Sequence, residues 1–145
     1  MSVFTHVRAV PLSPAEVFAA FESPTRLARW WGPAGFTNTF HTFEFRAGGR
    51  WLFTMHGPDG TDYPNESAFL EVVPSALIAI RHVNLPHFDL RIELEPCPEG
   101  TLVRWKGVFA NQAFAEQMRS FLEQANEQNL DRLAHELRVG PSQED

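Results

Sequence analysis

The chain has 145 residues, of which 43% are hydrophobic and 21% charged, so it is long enough to bury a core of its own and has an ordinary globular composition. Its formal net charge of −6 and its scattered Arg residues, with Lys106 as the only lysine, argue against nucleic acid or an anionic membrane as a partner. Thirteen Phe and four Trp against one Tyr predict rings that fill a core or line an apolar concave surface.

Targeting and disulfide signals are missing from the sequence. No apolar run approaches the roughly 20 residues that span a bilayer, and residues 1–8 lack the charged and apolar segments of a secretory signal. With Cys97 as the single cysteine, an internal disulfide framework is excluded. We therefore expect a cytoplasmic protein without membrane insertion.

The N-terminal part of the chain predicts one strand followed by two short helices. Residues 4–10 are rich in β-branched and apolar types, which is typical of a strand. Residues 13–16, Ser-Pro-Ala-Glu, then supply a helix cap, a proline at the first helical position and the carboxylate of a capping box. Residues 23–24 repeat this start signal, and the second helix runs to Trp30-Trp31 before Gly32-Pro33 ends it.

The middle of the chain predicts six antiparallel strands separated by glycine- and proline-rich turns. They cover residues 39–46, 51–56, 63–73, 77–83, 88–95 and 101–109. In residues 88–95 apolar and charged side chains alternate strictly, as in a sheet with one face in water. With the charged faces in water, the residues predicted to point inward are Phe43, Phe45, Trp51, Phe53, Ile80, His82 and Trp105.

The C-terminal part of the chain predicts one long amphipathic helix. From Gln112 to Val139 the apolar residues recur at helical spacing, and Asn111 is a suitable cap. A helix of this length reaches on the order of 40 Å, enough to cross the sheet. Residues 140–145 are predicted to form a disordered tail. Since no linker or internal repeat occurs, residues 1–139 are predicted to form a single domain.

These elements together predict an α+β fold in which a curved antiparallel sheet of about seven strands wraps around a long C-terminal helix, with two short helices after the first strand. Particular motifs accompany this order. They lie at residues 17–18, 30–33, 48–51, 57–60 with Tyr63, 71–74, 100–101 and 130–133. In both respects the chain resembles the START/Bet v 1-like (SRPBCC) superfamily and its helix-grip fold. Within it, the chain is most similar to the branch named after the activator of heat-shock protein 90 ATPase, over residues 3–139.

The resemblance implies a cavity under the long helix that binds a hydrophobic or aromatic small molecule. The activator proteins have an additional N-terminal domain that engages the chaperone, and nothing in this sequence corresponds to it. The long helix also differs from many relatives, because residues 125–127, Ala-Asn-Glu, stand where a Gly-Trp pair is expected. No cofactor is predicted.

Among the six histidines, His41 and His82 are both predicted to face inward. A ring nitrogen there could orient a ligand or move a proton. The alternative, which we favour for either one taken singly, is a buried histidine satisfied by a backbone carbonyl or water. No metal site is predicted, because the histidines lack zinc-ligand spacing and the single cysteine lies in no ligand motif.

The residues predicted to contact a ligand combine aromatic rings with a few polar groups. They are Trp31, Phe36, His41, Phe43, Trp51, Phe53, Tyr63, Asn65, Phe69, His82, Trp105, Phe114, Met118 and Phe121. For most of the rings the alternative role is packing in the core. Tyr63 and Asn65 are expected to supply hydrogen bonds near the open end of the cavity.

Three hypotheses for function follow. The leading one is a non-enzymatic binding protein for a small hydrophobic ligand, either aromatic or lipid-like. The second is an enzyme of the cyclase or hydrolase type that acts on a polyketide-like or other cyclic substrate, with His82 or His41 as general acid–base. The third is an interaction module of the chaperone-ATPase-activator type. A homodimer through the sheet or its edges is compatible with the sequence, although no residue requires it.

Overall fold

The computed structural model describes residues 2–141, and its elements follow the predicted order. The helices are α1 (Pro14–Glu22), α2 (Pro24–Trp30), α3 (Gln112–Gln117) and α4 (Arg119–Val139). The strands are β1 (Ser2–Val10), β2 (Thr37–Phe43), β3 (Arg50–His56), β4 (Asp62–Val73), β5 (Leu77–His82), β6 (Phe88–Cys97) and β7 (Gly100–Phe109). Of the predicted C-terminal tail, residues 142–145 lie outside the described residues.

The strands form one antiparallel sheet in the order β1-β7-β6-β5-β4-β3-β2. Strands β2 to β7 form a meander, since each pairs with its neighbours in sequence, and β1 returns to pair with β7. The register shifts twice, between Phe40 and Thr42 on β2 and between Phe69 and Glu71 on β4. This architecture confirms the predicted α+β helix-grip fold.

The two short helices begin where the sequence predicts, because both cap signals are used. The Ser13 hydroxyl accepts a hydrogen bond from the Glu16 amide at 3.3 Å, and the Glu16 carboxylate accepts one from the Ser13 amide at 3.0 Å. This is the predicted capping box. At the start of α2 the Ser23 hydroxyl accepts from the Arg26 amide at 3.2 Å. The caps fix the position of α2 and therefore of the loop that follows it.

The long C-terminal helix is broken once, and the prediction of a single helix over residues 112–139 is wrong in that respect. Met118, with φ −98° and ψ 7°, separates α3 from α4. The two segments pack on different parts of the protein: Ala115 of α3 joins a small cluster with Phe4 and Phe109, whereas most of the leucines of α4 join the main core, namely Leu130, Leu133 and Leu137. The break allows both surfaces to be buried.

The main core lies between the sheet, α1, α2 and α4, and it is dominated by rings. Its largest fully buried members are Phe21, Trp30, Trp51, Phe69 and Trp105. Trp51 stacks on Phe53 with a centroid separation of 4.3 Å and lies nearly parallel to Phe69. Within residues 2–141 no helix combines the length and apolar character required to cross a membrane.

Candidate functional site

A cavity of about 290 Å³ lies between the sheet and the α3–α4 segment. Most of its wall is apolar. The sheet contributes Phe53, Met55, Ile80, Phe88, Leu90, Trp105 and Phe109; the helices contribute Phe114, Met118, Phe121, Leu122 and Ala125; the loop after α2 contributes Trp31, Gly32 and Pro33. The volume is close to the lower end of the roughly 300–1,000 Å³ of small-molecule sites, and a mostly apolar wall with few polar groups is typical of them.

The polar side chains of the wall come from two places. Asn65, Ser67 and His82 lie on β4 and β5, and Asn126 and Asn129 lie on α4. Asn65 and Ser67 are two residues apart on one strand and so share a face. Ser67 is the direct partner of His82 in the sheet. We call Asn65, Ser67 and His82 the polar cluster.

His82 is buried, with 8% of its surface exposed, and both of its ring nitrogens lie close to an oxygen atom. Its Nδ1 lies 2.7 Å from the Pro86 carbonyl oxygen, and its Nε2 lies 2.7 Å from Oδ1 of Asn65. The ring stacks on Phe88 at 4.6 Å. Burial lowers the pKa of His82, and this outweighs the opposing effect of the Pro86 carbonyl. The imidazole is therefore predominantly neutral at pH 7.

Arg132 on α4 holds the loop that carries Trp31. Its guanidinium donates five hydrogen bonds of 2.8–3.1 Å to backbone carbonyl oxygens. These carbonyls belong to Arg29, Trp31, Gly32, Pro33 and Phe36. Because the loop carbonyls point to one guanidinium, the side chain of Trp31 is fixed as part of the cavity wall.

Gly32 in the same loop has φ +100°, a conformation that side chains rarely adopt. A Cβ atom at this position would lie 2.7 Å from the Cε of Met55, which also lines the cavity. The loop therefore approaches the sheet closely enough that only glycine fits without a shift of its neighbour.

Eight of the fourteen residues predicted to contact a ligand lie in the cavity wall: Trp31, Phe53, Asn65, His82, Trp105, Phe114, Met118 and Phe121. Trp51 and Phe69 are instead fully buried in the core, and Phe43 packs against both. Phe36 and Tyr63 pack on each other at 5.9 Å outside the wall, with Tyr63 45% exposed. For these five residues the alternative role of packing accounts for their position.

The prediction that His41 faces inward is wrong. His41 is exposed, and its Nε2 lies 2.9 Å from the Thr54 hydroxyl. The cause is the irregularity in β2, where Phe40 pairs with Phe53 and Thr42 with Leu52, so that His41 is the extra residue of a β-bulge. An extra residue reverses the alternation, and Phe40 packs against the core in the place expected of His41.

Several wall residues were missed by the sequence reasoning, although some had a signal. Ser67 lies two residues from Asn65, so the parity of the strand places both on one face. Asn126 and Asn129 follow Leu122 at the helical spacings i+4 and i+7, which places all three on one side of α4. Polar side chains at apolar spacing were the available signal for both asparagines.

A second and larger depression, of about 660 Å³, lies outside the cavity between α2, β2 and the last turns of α4. Its lining includes Arg29, Asn38, Arg132 and Glu136. The Glu136 carboxylate accepts hydrogen bonds from Arg26 at 3.0 Å and from Arg29 at 2.7 and 3.0 Å. Burial alone would raise the pKa of Glu136, but the two arginines outweigh it and hold that pKa below its usual value. We call this depression the α2–α4 groove.

No metal site is present in the part of the chain that the structure describes, in the sense that no three His, Cys, Asp or Glu side chains come together there. The side chains of the cavity wall offer three kinds of interaction. These are aromatic and aliphatic contacts, the amides and hydroxyl of the wall, and one neutral imidazole.

Solved structures with the same fold are known from several bacteria. A solution structure of a protein from Arthrobacter aurescens superposes with a TM-score of 0.86 at 23% identity, covering 95% of this chain and 87% of that one. A crystal structure of protein NE0264 from Nitrosomonas europaea gives 0.85 at 18% identity, covering 94% of each chain. The AHSA1 protein from Silicibacter pomeroyi gives 0.81 at 20% identity, covering 95% of this chain and 99% of that one. At these identities the likeness supports the fold alone.

A search of curated proteins finds no match. The family comparison is decisive by contrast, because one family model covers residues 11–138, from the turn before α1 to the last turn of α4. That span includes the cavity wall and the polar cluster. The chain therefore belongs to the family of activator of Hsp90 ATPase homolog 1-like proteins.

Proposed function

We propose that the protein binds a small, hydrophobic, aromatic compound in the cavity between the sheet and the α3–α4 segment. The observation that carries this proposal is the composition of the wall. Seven aromatic rings and several aliphatic side chains surround a small set of polar groups. Apolar surface of a ligand that is buried against such a wall contributes roughly 25 cal/mol per Å² of favourable binding free energy.

The rings favour an aromatic ligand over an acyl chain. Phe88 lies between His82 and Phe109, with centroid separations of 4.6 and 4.8 Å, so flat rings already stack face to face in this wall. A further flat ring continues such an arrangement and gains the offset-stacked or edge-to-face contacts that aromatic pairs prefer. A volume of about 290 Å³ suits a compound of one or two rings.

The test is native mass spectrometry of the purified protein, followed by thermal-shift screening with a panel of aromatic and lipid-like compounds. We expect an additional mass or a stabilising aromatic compound. Ala125→Trp fills the cavity from α4 and is expected to abolish the response, whereas Ala113→Trp, at an exposed position of α3, is the matched control. An apo mass together with no stabilising compound would contradict the proposal.

One observation favours a second candidate, acid–base catalysis on a bound cyclic substrate. His82 is neutral and buried in the wall, which suits a general base near pH 7. The test is whether a compound that stabilises the protein is chemically changed during prolonged incubation with it. A change that is lost in His82→Phe but retained in His41→Phe would support catalysis, and recovery of the unchanged compound would support binding alone.

A further inference from the structure

The polar cluster has one hydrogen-bond donor fewer than its contacts require. The two ring nitrogens of His82 each face an oxygen atom at 2.7 Å, the Pro86 carbonyl and Oδ1 of Asn65. Both oxygens only accept hydrogen bonds, whereas a neutral imidazole has a single N–H to donate. One of the two contacts therefore joins two acceptors.

Rotation of the Asn65 amide does not remove this deficit. In the observed orientation Nδ2 of Asn65 donates to the Tyr63 carbonyl oxygen at 2.9 Å. After a rotation the amide would donate to His82 Nε2, but Oδ1 would then face the Tyr63 carbonyl, which again only accepts. The mismatch moves from one side of Asn65 to the other, and the group remains one donor short.

In the observed orientation of Asn65 the deficit lies on the part-buried side of the polar cluster, where an unmatched polar group is costly. His82 is 8% exposed, and within the described residues Ser67 donates no hydrogen bond to His82 or Asn65. Full protonation of His82 would supply the missing donor, but it would leave a charge on a residue that is only 8% exposed. A donor group on a bound ligand makes the missing hydrogen bond without a buried charge.

We infer that the polar cluster recognises a neutral hydroxyl group on the aromatic ligand, as in a phenol, and that this hydroxyl donates to the unmatched acceptor at His82 or Asn65. The inference rests on the proposed function and adds the chemical class of the ligand. A carboxylate is disfavoured on two grounds: it brings further acceptors, and no Lys or Arg of the described residues lines the cavity. An ether or a ketone is disfavoured too, because its oxygen accepts hydrogen bonds but cannot donate one.

The experiment compares three two-ring compounds that differ in one substituent: 2-naphthol, 2-methoxynaphthalene and 2-naphthoate. Their affinities are measured by isothermal titration calorimetry near neutral pH. We expect 2-naphthol to bind about tenfold more tightly than 2-methoxynaphthalene, since an unmatched buried acceptor is satisfied only by the hydroxyl. We expect 2-naphthoate to bind most weakly.

The matched variants are His82→Phe and His41→Phe. The first keeps a flat ring against Phe88 but removes the ring nitrogens, so the preference for 2-naphthol is expected to decrease. The second makes the same change at the exposed histidine and is expected to leave the preference unchanged. The double variant His82→Phe/Asn65→Leu removes both candidate acceptors, and in it the preference is expected to disappear. If circular dichroism shows that the double variant is unfolded, equal affinity of the unaltered protein for 2-naphthol and 2-methoxynaphthalene still overturns the inference.

The outcomes separate this inference from the proposed function. Equal binding of 2-naphthol and 2-methoxynaphthalene, or a preference that survives in a folded double variant, would overturn the inference and leave aromatic binding intact. Tightest binding of 2-naphthoate would also overturn it. Failure of all three compounds to bind would count against the inference and, with an empty thermal-shift screen, against the proposed function too.

Discussion

The cavity and the α2–α4 groove differ in how their polar groups are used. The groove is the larger, at about 660 Å³ against about 290 Å³, but Glu136 in it accepts hydrogen bonds from arginines and Arg132 donates to backbone carbonyls. Within the described residues, its buried exception is Oδ1 of Asn38, which has no hydrogen-bond partner. The cavity is smaller and apolar, and its polar cluster is short of a donor. Unused hydrogen-bonding capacity beside apolar surface marks a ligand site better than volume does.

The two regions are linked by the loop after α2. The side chain of Trp31 lines the cavity, while its carbonyl oxygen accepts hydrogen bonds from Asn38 at 2.9 Å and Arg132 at 3.1 Å in the groove. We therefore regard the groove as the support of the cavity. The predictions below test this distinction in order of decreasing effect.

Glu136→Gln should have the largest effect on stability, because it leaves Arg26 and Arg29 without their shared carboxylate. The side chain of Glu136 is only 5% exposed, and breaking such a buried pair costs about 3 kcal/mol of unfolding free energy. Urea denaturation measures the loss. Glu123→Gln is the control, since its pair with Arg119 is on the surface and should contribute less than about 0.5 kcal/mol. Equal losses in the two variants would contradict the structural role of the groove.

Arg132→Met should loosen the loop without touching the cavity. It removes five hydrogen bonds to carbonyl oxygens, so we expect a loss of about 2 kcal/mol in unfolding free energy together with weaker binding of an aromatic ligand. Urea denaturation and calorimetry measure the two effects. Arg138→Met changes an exposed arginine on the last turn of the same helix and should alter neither. Unchanged affinity in Arg132→Met would separate the groove from the cavity.

A comparison of Gly32→Ala with Gly48→Ala separates two causes of destabilisation: the contact of an added Cβ with Met55 and the strain of a positive φ. Both glycines have positive φ, so each substitution should cost about 1 kcal/mol from strain alone. At Gly48 no other atom lies within 4 Å of the added Cβ, whereas at Gly32 it meets Met55. We therefore expect Gly32→Ala to be the more destabilising of the two in urea denaturation. The opposite order would contradict the tight contact between loop and cavity wall.

The lowered pKa of His82 predicts a small dependence of stability on pH. Its pKa in the folded protein lies below the ordinary value of 6.5, so the unfolded chain binds more protons in the interval between the two. Unfolding free energy should therefore fall as the pH decreases through about 6.5 and down to the lower pKa of the folded state. Thermal unfolding across this range measures it, and His82→Phe should flatten the curve relative to His41→Phe. A steeper curve in His82→Phe would contradict the assignment.

The fold was largely predictable because its signals are local. The alternation of residues 88–95 specifies a half-exposed strand, and the cap at Ser13 begins a helix, whatever the rest of the chain does. The errors arose where one residue changes the pattern. The bulge at His41 reverses the facing of β2, and Met118 divides the C-terminal helix, so neither follows from periodicity.

The candidate site was predictable only in part, for a different reason. Its aromatic residues are visible in the sequence, but whether a ring such as Trp51 fills the core or, like Trp31, lines the cavity depends on curvature and packing. The decisive polar partner, the Pro86 carbonyl, is a backbone atom that every residue possesses. Its position opposite His82 is a property of the folded loop and leaves no trace in residue type.

The pairing of β1 with β7 has a consequence for synthesis on the ribosome. Ser2 pairs with Phe109, so the first strand to leave the exit tunnel waits for the last one before its hydrogen bonds can form. Such distant pairing raises contact order and slows folding. Until then, β1 presents an open edge to neighbouring chains. Nascent β1 is therefore the segment for which a holding chaperone would matter most.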